Sequence, residues 1–300
     1  MELHYLKLFN IMAAELNFSK TADTLYISQP AVSMQIKKLE QDLGFKLFDK
    51  VGKNLYLNEN GKLLYKYTKQ IFSLIEEAET KLYIQNNTVR GSINIGASNT
   101  PGNYILPQIL GEFKAMYPEV DTNLHIANTH EIERMIFSNE LDFAVNGGDI
   151  PYNNQVYVEE LATDDVVFVA APSNSLTKSE FIEPVQLINA KYITHERNSQ
   201  LYKLVEDITG ELGLPFSITM VLGSIDAIKQ AVSSNLGITI VPKSAARIEL
   251  GYGFLKQLKI RDWYWKYPYN LIYHKKKNIT PAAAKLIELI RERVGKNKKG

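Results

Sequence analysis

The 300-residue chain carries 34 Lys and Arg against 33 Asp and Glu, and 45% of its residues are hydrophobic. That balance belongs to a folded globular protein of about two domains and excludes wholesale disorder or a histone-like polycation. The chain has no cysteine, which excludes disulfides, thiolate zinc sites, iron–sulfur clusters and thiol nucleophiles together. No apolar run approaches the roughly 18 residues that cross a bilayer. The opening Met1-Glu2-Leu3-His4-Tyr5-Leu6-Lys7 holds no cleavable apolar segment, so a cytoplasmic location is expected.

Charge is uneven along the chain. Residues 20–69 hold nine lysines against five acids, Asp23, Glu40, Asp42, Asp49 and Glu59, a local excess that suits a polyanionic partner only if the surrounding pattern agrees. Leu3, Leu6, Phe9, Ile11, Met12 and Leu16 recur at helical spacing and predict a helix over 3–16. Ser19 is the expected cap of a short helix over 20–25. Ser28 is the expected cap of a third helix, with Pro30 in its first turn, an apolar stripe of Ala31, Val32, Ile36, Leu39 and Leu43, and Gly44 at its end.

Two short helices joined by a tight turn, the second polar at its start, have the form of a helix-turn-helix, though an ordinary three-helix packing module has the same spacing. In the first form Ser28, Gln29, Pro30, Ser33, Met34 and Gln35 lie at the DNA, with Gln29, Ser33, Met34 and Gln35 near base edges. Lys37 and Lys38 lie further along, in reach of phosphates. Residues 47–57 alternate apolar and polar around Gly52 and predict a hairpin wing with Lys50 and Lys53 near its tip. Asn58 is the expected cap of a long helix over 59–87. Its apolar residues Leu63, Leu64, Tyr67, Ile71, Leu74, Ile75, Ala78 and Leu82 form a near-heptad seam. That seam suits pairing between two chains; the alternative is a helix lying on its own domain. Asn86-Asn87-Thr88 with Gly91 reads as a hinge.

The run Ala22…Leu25-Tyr26-Ile27-Ser28-Gln29-Pro30-Ala31-Val32-Ser33, then Ile36-Lys37-Lys38-Leu39-Glu40-Gln41-Asp42-Leu43-Gly44 and Leu47-Phe48, resembles the N-terminal signature of LysR-type transcriptional regulators. It departs from the family at Lys50, where Arg is usual, and at Asn58, where Thr is common. Lysine keeps the charge there but loses the planar fork. The resemblance implies a winged helix-turn-helix, a linker helix that pairs two subunits, and assembly to a homodimer and further to a homotetramer.

From residue 91 onward short apolar strands alternate with helical stripes: Ile93–Gly96, a stripe from Ile105 to Phe113, Val120–Ile126, Ile132–Asn139, and Leu141–Val145. The pattern restarts at Val166–Ala170 and Tyr192–Thr194, continues through a helix near 200–212, a strand near 216–222, a helix over about 225–234 and Gly237–Pro242, and closes with Tyr269–Tyr273 and a helix over 281–294. This alternation predicts an α/β fold with a parallel, doubly wound sheet, in one continuous sheet or in two lobes. Gly91-Ser92-Ile93-Asn94-Ile95-Gly96-Ala97-Ser98, Leu106-Pro107…Tyr117-Pro118, Leu141-Asp142-Phe143-Ala144 and Gly237-Ile238…Val241-Pro242 resemble the LysR-type effector domain. That domain is similar to the two-lobed periplasmic binding proteins. The stretch from Ile95 to Pro107 looks most like the branch tied to sulfur, selenium or carbon-fixation metabolism.

The organisation expected is therefore a DNA-binding domain over 1–58, a linker helix and hinge over 59–90, and an effector domain over 91–300. The first lobe would take about 91–162 and 268–300, and the second about 163–267.

Ligands of such folds sit beyond the C-terminal ends of strands, against helix N-termini that favour anions. Ser98, Asn99 and Thr100 follow the first strand, Thr129 precedes the helix near 131–139, His195 with Asn198 and Ser199 precedes a helix of the second lobe, and Ser224 precedes another. These are the expected effector contacts for a small anion. With no arginine near the first turn, Arg197 or His195 would supply positive charge, and a ligand carboxylate or oxyanion near His195 would raise its pKa. The five histidines show no metal-ligand spacing, and neither a nucleophile elbow nor a phosphate loop is present. No catalytic residue, metal or cofactor is expected. The expected function is a ligand-responsive regulator of promoter DNA, not an enzyme or an exported receptor.

Overall fold

The computed structural model describes residues 2–52, 54–84, 89–197, 199–213 and 216–296, and the chain divides into two compact units, Met1–Thr88 and Val89–Gly300. In the first unit α1 (Leu3–Glu15), α2 (Phe18–Leu25) and α3 (Gln29–Leu43) are followed by the hairpin of β1 (Phe48–Val51) and β2 (Asn54–Leu57), then by the long α4 (Glu59–Ile84). Leu6, Leu8, Phe9, Met12 and Ala13 of α1 close over Ala22, Val32, Ile36, Leu39 and Leu47. Asn17, not Ser19, caps α2: its carboxamide oxygen accepts from the N–H groups of Ser19 and Lys20. The helix accordingly starts at Phe18, two residues before the expected start. Ser28 caps α3, accepting from the Ala31 N–H, and Gly44 ends it at φ +75°, a backbone that costs glycine nothing.

Glu40, 8% exposed, accepts from the Leu47 N–H at 2.8 Å and pairs with Lys46, tying the end of α3 to the hairpin. Asn58 caps α4 through the Gly61 N–H. Gly61 is required where it stands, because a Cβ there would lie 2.0 Å from the Leu47 carbonyl oxygen.

The seam of α4 divides in two. Leu64, Tyr65, Ile71 and Phe72 pack against the core beneath α1, so the helix does lie partly on its own unit. Leu63, Tyr67 and Leu74 are each more than half exposed. The side chain of Leu82 and the hinge residues 86–88 lie outside the described residues.

The second unit contains β3 (Gly91–Ala97), α5 (Asn99–Tyr104), α6 (Leu106–Met116), β4 (Val120–Ile126), α7 (Thr129–Phe137), β5 (Phe143–Gly147) and β6 (Val156–Ala170). Then come β7 (Lys191–His195), α8 (Gln200–Leu212), β8 (Ser217–Leu222), α9 (Ile225–Ser233), β9 (Thr239–Pro242), α10 (Arg247–Gly251), β10 (Lys256–Leu258), β11 (Lys266–His274) and α11 (Pro281–Lys296). The main sheet runs β10-β6-β11-β5-β3-β4, with β9 also on β6, while β7 and β8 pair separately.

The sheet is mixed, not parallel throughout. β3 is parallel to β4 and β5, and β7 to β8, but β11 lies antiparallel to β5 and β6, and β6 antiparallel to β9 and β10. The cause is β6. It is one strand of 15 residues whose first part pairs with β11 and whose end pairs with β9 and β10. Its first part reads Val-Tyr-Val-Glu-Glu-Leu-Ala-Thr-Asp-Asp, where charge hides strand character, so only Val166–Ala170 was legible as a strand. Two main cores follow, one under β3, β5, α6 and α11, the other under β6, β7, β9, α8 and α9. β6 and β11 contribute to both.

Candidate functional site

A cleft of about 350 Å³, its open mouth included, is lined by Ser98, Asn99, Thr100, Asn128, Thr129, His195, Ser199, Gln200, Leu201 and Tyr267. It forms where the C-terminal ends of β3, β4 and β7 release the chain into helices, as the topology requires. Six of the seven expected effector residues are brought together: Ser98, Asn99, Thr100, Thr129, His195 and Ser199. Ser224 is not among the lining residues; it stands exposed before α9 without a side-chain cap bond. Asn198 lies outside the described residues.

Thr129 is the first residue of α7, and Asn128 makes the cap, accepting from the Glu131 N–H at 3.0 Å. Ser199 caps α8 through the Tyr202 N–H. Ser98 Oγ accepts from the Gly147 N–H at 2.8 Å, which leaves its hydroxyl proton to donate elsewhere. Asn128, Gln200, Leu201 and Tyr267 were missed in the sequence. Asn128 had a readable signal, since Asn is a preferred cap; Tyr267 had none, because only the return of β11 brings it to the cleft.

The charge expected in the cleft is absent from its lining. Arg197 is exposed and does not line it. His195 is 6% exposed. Burial holds its imidazole below the ordinary histidine range; the Glu196 carboxylate and the Gly223 backbone act in the opposite sense without prevailing. Its Nδ1 accepts from the Glu196 N–H at 2.9 Å, and Nε2 is buried without a hydrogen-bond partner. With Nδ1 accepting, the neutral ring carries its proton on the buried Nε2. Asn146 at the end of β5 is also fully buried with both carboxamide atoms unpartnered.

Beside the cleft, α5 reaches from Thr100 to Tyr104, whose hydroxyl donates to Asp226 Oδ1 of α9 at 2.8 Å. Lys229, 4% exposed, stands 3.2 Å from Asp226 and 2.7 Å from Glu249, donates to the Ala245 carbonyl, and lies 4.7 Å from the centre of the Tyr104 ring.

In the first unit Ser28, Gln29, Pro30, Met34 and Lys37 of the α3 region are exposed, as is Lys50 on the hairpin. Met34 is 67% exposed. Ser33 is half-buried, and so is Gln35, whose Oε1 lies 2.8 Å from His4 Nε2. Lys38 pairs with Asp42. Lys53 lies outside the described residues. Among the described residues no helix is long and apolar enough to cross a membrane and no cluster suits a metal ion.

Residues 3–62 match the family model of the bacterial regulatory helix-turn-helix protein, lysR family, and residues 86–295 match the LysR substrate binding domain. A probable RuBisCO transcriptional regulator of Cyanophora paradoxa is 35% identical over 265 residues, covering 87% of this chain and 82% of that protein. Its counterpart in Trichormus variabilis is 34% identical over 258 residues, covering 84% and 77%. Among solved structures, full-length OxyR from Pseudomonas aeruginosa superposes with a TM-score of 0.74 at 19% identity, covering 98% of this chain and 94% of that one. CbnR, a LysR family transcriptional regulator, gives 0.71 at 21%, covering 98% and 99%. The regulatory domain of Synechocystis PCC6803 CcmR, in complex with 2-PG, gives 0.63 at 21%, covering 68% and 97%. The two family models together account for nearly the whole chain, so it belongs to the LysR family of transcriptional regulators, a DNA-binding helix-turn-helix joined to a two-lobed effector-binding domain, and not to the enzymes.

Proposed function

We propose that this regulator senses a small anionic metabolite in the cleft and that occupancy alters its binding to promoter DNA in the cytoplasm. One observation carries the reading: a lining of neutral, mostly hydrogen-bonding side chains, free of carboxylates among the described residues, onto which α7 and α8 open at Thr129 and Ser199. Helix N-termini offer unpaired N–H groups and a positive field, and an anion satisfies both. Ser98, Asn99 and Thr100 add donors from the other side. The CcmR domain complexed with 2-PG supports a small ligand, and relatives named as RuBisCO regulators support target genes in carbon fixation.

The DNA contacts are assigned to Ser28, Gln29, Pro30, Ser33, Met34 and Gln35 at the start of α3, with Lys37, Lys50 and Lys53 on phosphates. The exposed stripe Leu63, Tyr67 and Leu74 pairs two chains, and the pairs assemble to a tetramer. Closure of the lobes on the ligand would change the spacing of the DNA-binding units.

The test is fluorescence anisotropy of the full chain on DNA from upstream of its own locus, titrated with a panel of small phosphorylated, carboxylated and neutral metabolites. Anions alone should shift the affinity for DNA. An effect confined to neutral compounds would remove the anion from the reading, and no sequence-specific binding would remove the operator.

A further inference from the structure

Resting on the reading of α3 as the helix that meets the operator, we infer that its Met34 reads the C5-methyl group of a thymine in the major groove. An A·T pair is then selected there by apolar contact rather than by a hydrogen bond. The placement follows from the helix itself. Val32, Ile36 and Leu39 are buried against the core. At about 100° per residue, Met34 stands about 160° around the helix from both Val32 and Ile36. That is the middle of the face turned away from the unit's core. Pro30 and Lys37, one turn to either side, are exposed on the same face, and Met34 itself is 67% exposed. Pro30 and Met34 thus make an apolar spot one turn long, with Lys37 beyond it.

Two further observations narrow what this spot reads. The whole first unit, residues 1–88, contains no arginine, the side chain that most often reads guanine through a bidentate bond to O6 and N7. Of the two lysines on α3, Lys38 is paired with Asp42 at 3.3 Å, and Lys37 is the one assigned to phosphate. The second is the chemistry of the groove. Base edges there present donors and acceptors at every pair but one protruding apolar group, the thymine methyl. A thioether has no donor and is a weak acceptor. Against the polar edge of a guanine, adenine or cytosine, Met34 would displace water and return no comparable hydrogen bond. Against a thymine methyl it buries apolar surface on both partners, and its unbranched side chain adapts to the contact. Gln29, exposed at the start of the same helix, carries the amide that reads adenine N6 and N7, so both neutral readers favour A·T pairs.

The experiment is fluorescence anisotropy of the full chain on operator DNA from upstream of its own locus, with each thymine replaced singly by uracil. Uracil lacks the C5-methyl group and keeps every hydrogen-bonding group of the base. At one thymine of a half-site the parent should lose about threefold to tenfold in affinity. Met34→Ala should bind the thymine and uracil operators equally at that position. Met34→Leu, which keeps an apolar side chain, should keep part of the preference. Uracil can also alter the shape of the duplex, but a shape effect would persist in Met34→Ala, whereas a methyl contact disappears with the side chain.

If no uracil weakens the parent by more than about twofold, or if the penalty is unchanged in Met34→Ala, this inference is overturned and α3 still stands as the reading helix. If the parent shows no preference for operator over random DNA, or if Gln29→Ala and Met34→Ala both keep the parent's full preference, the reading of α3 fails and this inference with it. Circular dichroism of each variant separates lost binding from lost fold.

Discussion

Lys229→Met tests the packing that joins α5 to α9. Lys229 is 4% exposed, and its ammonium sits 2.7 Å from Glu249 and 3.2 Å from Asp226 and donates to the Ala245 carbonyl at 2.9 Å. Methionine keeps most of the stem's volume, so the loss is one of charge and donors rather than of packing. The Asp226 side chain is 68% exposed, so water replaces its partner and nothing is assigned to it.

Glu249 is different. Its side chain is 17% exposed and its Oε2 already has no partner, so the substitution strands a buried carboxylate. Removing one member of a buried pair costs about 3–5 kcal/mol, and the abandoned Ala245 carbonyl, about 1–3 kcal/mol alone, overlaps with that figure. For a unit of this size about 2–4 °C accompanies each kcal/mol, so the transition should fall by about 6–20 °C. Differential scanning calorimetry reads it, and urea unfolding checks it. The double variant Lys229→Met/Glu249→Leu should regain much of the loss, because no charge is left stranded. A single-variant loss below about 1 kcal/mol would refute the reasoning, and so would a double variant no more stable than the single.

Leu63→Asp with Leu74→Asp should separate paired chains in sedimentation velocity while leaving the helical circular dichroism intact, since both side chains are exposed; Ile71→Asp should instead damage the unit's own core. Gly61→Ala should destabilise the first unit in a thermal melt, because the added methyl meets the Leu47 carbonyl and neither backbone can yield cheaply. Stability should decline as pH falls below about 6.5, the ordinary histidine pKa. There the unfolded chain binds a proton at His195 that the folded chain refuses, and His195→Gln should flatten that part of the curve. A further decline should follow in the carboxylate range, where Glu159 and Asp165, held below their ordinary values by Arg291 and Lys266, lose those bonds as they take up protons. Gln29→Ala should relax base preference at a cost of about 1–3 kcal/mol, read by anisotropy on single-base operator variants.

Much of this protein was legible before any fold was considered, where local chemistry decides. Ser28, Pro30 and Gly44 bound α3 by capping and backbone preference, which act over a few residues whatever the rest of the chain does. The residues after β3, together with Thr129, His195 and Ser199, were marked by their place where strands hand over to helices, and the fold gathers them into one cleft.

What only the tertiary structure decided depends on contacts distant in sequence. β6 runs on through Glu159, Glu160, Asp164 and Asp165 because β11 supplies its ladder, across a stretch whose charge hides strand character. Tyr267 reaches the cleft on that same returning strand. The division of the α4 seam between Ile71 and Leu74 follows from where α1 lies, which no heptad count reveals. The charge of His195 depends on a neighbour's N–H and on burial, both set by the folded chain, and so the cleft expected to carry a cation is lined by neutral donors instead.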